Sequence, residues 1–117
     1  MTSSTFEASV RRRGDTAVID LSGDVNRAAE EGLRLAYVEA SGSGPASILL
    51  NFSRVNYINS TGIALIVGVL AESRKEGMTV TACGLSDHYR EIFEITRLSD
   101  FMSIFESEDG AVADVPA

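Results

Sequence analysis

Residues 51 to 62 read Asn51-Phe52-Ser53-Arg54-Val55-Asn56-Tyr57-Ile58-Asn59-Ser60-Thr61-Gly62, a run crowded with amides and hydroxyls. Asn, Ser and Thr are the side chains that accept the free backbone N–H groups at a helix start. The apolar stretch that follows, Ile63 to Ala71, places such a start at Asn59 or Ser60. The same residues support a chemical reading. A helix N-terminus attracts an anion by about 0.3–1 kcal/mol, so a phosphate carried on Ser60 would meet unpaired N–H groups and the positive end of the dipole. Gly62 either admits a partner's backbone or lets the helix pack close to a sheet. Capping and anion binding both stand on residue types alone.

Other chemistries find little support. His88 is the single histidine, and a Ser60/His88 hydrolase would need an orienting acid and an oxyanion hole that no Gly-x-Ser-x-Gly elbow supplies. Cys83 has no partner for an internal disulfide, no Cys/His cluster offers a zinc site, and a buried inert thiol is expected. Gly42-Ser43-Gly44-Pro45 lacks the Lys of a phosphate-binding loop. No catalysis, metal or cofactor is therefore expected. Ten Lys and Arg against 17 Asp and Glu give a net charge of −7, which argues against nucleic acid as a partner. Arg11-Arg12-Arg13 reads as a solvated strand edge. The longest apolar stretch is far short of the ~20 residues a membrane span needs, and Met1 to Thr5 lacks the features of a secretory signal. A cytoplasmic protein with no membrane partner is the expectation.

The elements that must position the polar run follow from periodicity. Residues 6–10 and 17–21 read as a hairpin turned at Gly14-Asp15, with Gly23 closing its second strand. From Asn26, a plausible N-cap, Ala28, Ala29, Leu33, Ala36, Tyr37 and Ala40 recur at helical spacing until Gly42-Ser43-Gly44-Pro45 stops them. Residues 48–52 form a buried strand, followed by a polar crossing and a strand-like Tyr57-Ile58. A second helix spans 60–77 with Gly77 at its C-terminal cap. Residues 78–83 read as a strand with Val80 and Ala82 on one face and Thr79 and Thr81 on the other. Ser86-Asp87 caps a third helix over about 88–97 that buries Ile92, Phe93 and Ile95; Tyr89 and Arg90 are candidates for an interaction face. Residues 101–105 form a last strand. The core is expected from Leu50, Phe52, Ile58, Ile63, Leu65, Ile66, Val69, Val80 and Phe93. The order β-β-α-β-α-β-α-β predicts one α/β domain over 1–117, a mixed sheet of four to six strands with helices mainly on one side. Residues 1–4 and about 107–117 are expected as flexible tails, the latter alternatively a short helix.

The run Tyr57 to Ile66, preceded by Leu49-Leu50-Asn51-Phe52-Ser53, resembles the signature of the STAS family, the bacterial anti-sigma factor antagonists whose domain also occurs in sulfate transporters. The early hairpin, Gly23-Asp24-Val25-Asn26 before the first helix and the element order extend the resemblance over nearly the whole chain. It implies a non-catalytic protein that binds an anti-sigma factor with serine kinase activity and loses that binding when phosphorylated. By position, the acceptor is Ser60, with Thr61 as the alternative, and Asp24, Asn26, Asn59, Ser60, Thr61 and Gly62 form the partner-binding face. Three positions depart from the pattern: Asn59 replaces the acid before the acceptor, Asn51 an acid at the end of the buried strand, and Asn26 the acid before the first helix. Each amide removes a negative charge and adds a donor. Either these are interchangeable caps, or one surface has become more receptive to phosphate. A constitutive or anion- or nucleotide-binding module, not switched by phosphorylation, is the competing reading.

Overall fold

A computed structural model describes residues 5–113. Its strands are β1 (Glu7–Arg13), β2 (Thr16–Val25), β3 (Ser47–Ile58), β4 (Thr79–Cys83) and β5 (Ser103–Phe105). The helices are α1 (Glu30–Gly42), α2 (Ser60–Lys75), α3 (Asp87–Ile95) and α4 (Glu108–Ala113), with 3-10 turns at Arg27–Ala29 and Leu98–Asp100. The sheet order is β1-β2-β3-β4-β5, with β1 antiparallel to β2 and every other pair parallel. This is the mixed, five-stranded α/β sheet the element order predicts. The hairpin turns at Gly14, whose φ of 60° suits glycine.

Side-chain alternation divides the sheet into two unlike faces. Ala17, Ile19 and Leu21 of β2, Ile48, Leu50 and Phe52 of β3, and Val80 and Ala82 of β4 join one buried cluster with Leu33, Ala36, Tyr37 and Ala40 of α1 and Ile66, Val69 and Leu70 of α2. Phe93 of α3 is fully buried and meets Phe52 edge-on at 5.7 Å between ring centroids. Most of the expected core is here, but Ile63 and Leu65 are only half-buried. The opposite face carries a much smaller cluster of Val18, Leu49, Cys83 and Ala111.

Several expectations are corrected. Gly23 does not close β2 but lies inside it at φ 83°, where a Cβ would come within 2.2 Å of the Thr5 carbonyl oxygen. The polar crossing after Phe52 is strand: β3 runs unbroken to Ile58, and β2 follows it to Val25 through two register shifts. Since β4 pairs β3 only up to Asn51, residues 53–58 and their β2 partners project as a two-stranded ribbon. With neighbours missing on one side, Ser53, Arg54 and Asn56 are exposed, which is why they read as a polar crossing, and Tyr57, read as strand, is exposed with them. Thr81 is buried rather than solvent-facing. Ile95, expected in the core, is 72% exposed. The stretch from 107 is no free tail up to Ala113, because α4 packs on β3, β4 and β5 and buries Ala111; residues 1–4 and 114–117 lie outside the described residues.

Candidate functional site

The site lies at the tip of the β2–β3 ribbon. Val25 and Ile58 are in register there, so the residues that follow them, Asn26 and Asn59, leave the sheet side by side. Each is extended and caps what comes next. Asn26 Oδ1 accepts from Ala28 N at 3.0 Å to open the 3-10 turn before α1. Asn59 Oδ1 accepts from Gly62 N at 2.8 Å to open α2, while its own N–H donates to the Val25 carbonyl at 3.2 Å. Side-chain capping at both positions is thus realised as the residue types predict.

Ser60 and Thr61 are the first two residues of α2, and both are exposed. Their amides precede any i−4 carbonyl of the helix, whereas Ile63 N already bonds Asn59 O at 2.9 Å. A hydroxyl therefore stands at the open, electropositive end of a 16-residue helix. Gly62 and Asp24 are buried and shape this end from beneath. A Cβ on Gly62 would come within 2.0 Å of the Val25 carbonyl oxygen, so the glycine lets α2 seat directly on the end of β2. Of the two roles open to it, close packing on the sheet is the one this contact realises.

Two aromatic side chains complete the neighbourhood. The Tyr89 hydroxyl, from the first turn of α3, accepts from Ile58 N at 2.9 Å and pins the ribbon tip from the helical side. Tyr57, in register with Asp24, is 53% exposed beside the cap. Tyr57 was legible only as a strand residue; its exposure follows from the ribbon's projection past β4, a long-range property. His88 is exposed in the first turn of α3 against the Tyr89 ring.

Asn51 does not belong to this surface. It sits on the opposite face of the sheet, where its Nδ2 donates to Asp20 Oδ1 at 2.9 Å and its Oδ1 accepts from Ser53 N at 3.0 Å and from the Ser53 hydroxyl. Asp20 and Asn51 are register partners, so an acid at 51 would face another acid. The three amides therefore do not ring one pocket: Asn26 and Asn59 share the ribbon tip, and Asn51 answers to Asp20. Cys83 is buried on that same opposite face, and burial pushes its thiol up to about 11.

Fold and site together define a mixed-sheet α/β domain with a helix-start hydroxyl presented at a ribbon tip. Residues 7–111 match the STAS domain family. The chain belongs to that family. A Bordetella bronchiseptica protein named as a candidate anti-sigma factor antagonist, BtrV, is 34% identical over 85 residues, 73% of this chain and 71% of that one. The anti-sigma-B factor antagonist of Staphylococcus aureus is 35% identical over 66 residues, which span 56% of this chain and 61% of the relative. Among solved structures, an anti-sigma factor antagonist from Mycobacterium paratuberculosis superposes with a TM-score of 0.77 at 19% identity, covering 95% of this chain and 94% of that one. The phosphorylated form of the Bacillus cell fate determinant SpoIIAA gives 0.70 at 25% identity, over 96% of this chain and 100% of its own.

Proposed function

We propose that this chain is an anti-sigma factor antagonist that works in the cytoplasm without catalysis of its own. It docks an anti-sigma factor with serine kinase activity through the ribbon tip and is switched by phosphorylation at Ser60, with Thr61 the alternative acceptor. The observation that carries the reading is the exposed Ser60 hydroxyl on the first residue of α2, beside the Asn59 cap. Asn26, Asn59, Ser60 and Thr61 form the contact surface, and Asp24 and Gly62 set its shape from below. The relatives named as anti-sigma factor antagonists support the partner class.

The physical logic of the switch is local. A phosphate on Ser60 adds about −1.5 to −2 charges at a point where the helix end accepts them, so the fold survives and the surface changes. A partner seated by shape and apolar contact then meets a bulky, hydrated dianion. Titration calorimetry against the cognate anti-sigma factor tests this. Ser60→Ala binds as the unmodified chain does and resists release, whereas Ser60→Asp binds at least tenfold more weakly, about 1.4 kcal/mol. Equal affinity for all three proteins would overturn the switch and leave a constitutive binding module. Intact-mass measurement after incubation with the kinase and ATP, repeated on Ser60→Ala, assigns the acceptor between Ser60 and Thr61.

A further inference from the structure

Among the described residues, the face of the sheet turned away from α1 and α2 is covered by one short element. Helix α4 has six residues and contributes a single fully buried side chain, Ala111, to the cluster with Val18, Leu49 and Cys83; Phe105 and Val112 are only partly covered. So small an apolar contact holds a helix weakly, and a segment of this length has little helical stability of its own. What remains is charge. Arg11 Nη1 donates to Glu108 Oε2 at 2.8 Å and Arg11 Nη2 to Glu108 Oε1, while Arg13 Nη1 donates to Glu108 Oε2 and Asp109 Oδ1, each at 2.8 Å. Arg11 is held in turn by Asp20, Nε to Oδ2 at 2.6 Å and Nη2 to Oδ1 at 3.0 Å, and Asp20 by Asn51. The start of α4 is thus tied to the edge strand β1, almost the whole length of the chain away.

The arginine side chains are 44% and 37% exposed and Asp109 is 87% exposed, against 20% for Glu108, so water competes for these bonds chiefly from the arginine side. We infer that α4 is a strap that opens as a unit while the five-stranded sheet and the helices on its other face stay folded. Opening uncovers the Val18–Leu49–Cys83 stripe, and the arginines of β1 set how often it happens. Elements with little buried apolar surface and solvent-accessible polar bonds open well below the cost of global unfolding. Arg11 and Arg13 then have a purpose that the reading of their run as a solvated edge does not supply, while Arg12 between them donates to Gly14 and Ser43 instead.

Cys83 is the built-in reporter, because it is the chain's one thiol and lies beneath the strap. Reaction of the full chain with 5,5′-dithiobis(2-nitrobenzoate) at pH 8, with thermal unfolding followed in parallel by circular dichroism, reads strap opening against global unfolding. Arg11→Ala/Arg13→Ala is expected to label at least tenfold faster than the unmodified chain, with a change in Tm too small to account for it. Adding 1 M NaCl to the unmodified chain is expected to move labelling in the same direction. Labelling unchanged in the double variant, or rising only as its global stability falls, overturns the strap. If the double variant loses its cooperative transition, Glu108→Gln in the same assay decides between the two.

Discussion

Replacing Gly62 by Ala tests the seating of α2 on β2, on which the Ser60 hydroxyl depends for its place. In an exposed helix interior, Gly→Ala gains about 1 kcal/mol of helix propensity. At Gly62 the new methyl would sit 2.0 Å from the Val25 carbonyl oxygen, 2.8 Å from its carbon and 3.1 Å from Ile58 Cγ2. The first two are backbone atoms, and no side-chain rotation relieves the overlap. Helix α2 must move off the end of β2 by about an ångström or more, at the ~1–3 kcal/mol typical of overpacking. The same shift stretches the Asn59 N to Val25 O bond, already 3.2 Å, at a further ~0.5–1.5 kcal/mol. The sum favours the clash, and Gly62→Ala is expected to lose about 1–3 kcal/mol in urea unfolding. Gly68, on the same helix and with nothing within 4 Å of its virtual Cβ, supplies the control. Gly68→Ala is expected to gain up to ~1 kcal/mol. Opposite signs at two glycines of one helix require the seating described. A Gly62→Ala protein as stable as the parent would refute it.

Two further perturbations probe the opposite face. Asn51→Asp sets a second carboxylate against Asp20 and removes a bond to a charged acceptor, so a loss of about 1–3 kcal/mol is expected at neutral pH in urea unfolding. Like-charge repulsion raises the folded-state pKa of such a pair, so the deficit relative to the parent should shrink as pH falls below about 5; a deficit independent of pH would contradict the pairing. Glu108 is held down to about 2 from an ordinary 4.5, mainly by its hydrogen bond from Arg11, with burial opposing and Arg13 assisting. A depressed acid stabilises above its unfolded value and loses that contribution as pH falls through its folded one, so α4 should loosen between pH 4.5 and 2. The methyl resonances of Ala111 and Val112 should follow that titration, and a midpoint at 4.5 would show that the arginines do not hold Glu108.

How far the sequence foretold the structure depends on whether the signal was local. Both long helices announced themselves through apolar spacing, and Asn26, Asn59 and Ser86 through capping chemistry, because these patterns act within a few residues. The continuation of β3 through Ser53, Arg54 and Asn56 did not show, because an uncovered ribbon has no apolar alternation to read. Ile95 misled for a related reason: its spacing in α3 matches Ile92, but the helix meets the core through Phe93. Helix α4 was invisible as a packed element, since what fixes it is Arg11 and Arg13, 97 and 95 residues from Glu108.

The two faces of the sheet explain how one small domain can hold its fold and leave its site free to change. On the face of α1 and α2 the packed core fixes the ribbon tip through its backbone atoms: Asn59 N to Val25 O, Gly62 against Val25, and Ile58 N to the Tyr89 hydroxyl. None of these uses the side chains of Ser60 or Thr61, which remain exposed. A modification there costs the fold little, because no packing depends on the hydroxyl. The amides at 26 and 59 follow the same logic. Each caps with an oxygen that an aspartate would also supply, so the helix starts persist without the negative charge. A tip that keeps its geometry while carrying less charge receives an added phosphate with less repulsion than an acid beside Ser60 would impose. By this reasoning Asn59 would suit the chain to the switch proposed above, whose two states differ in surface charge and not in fold.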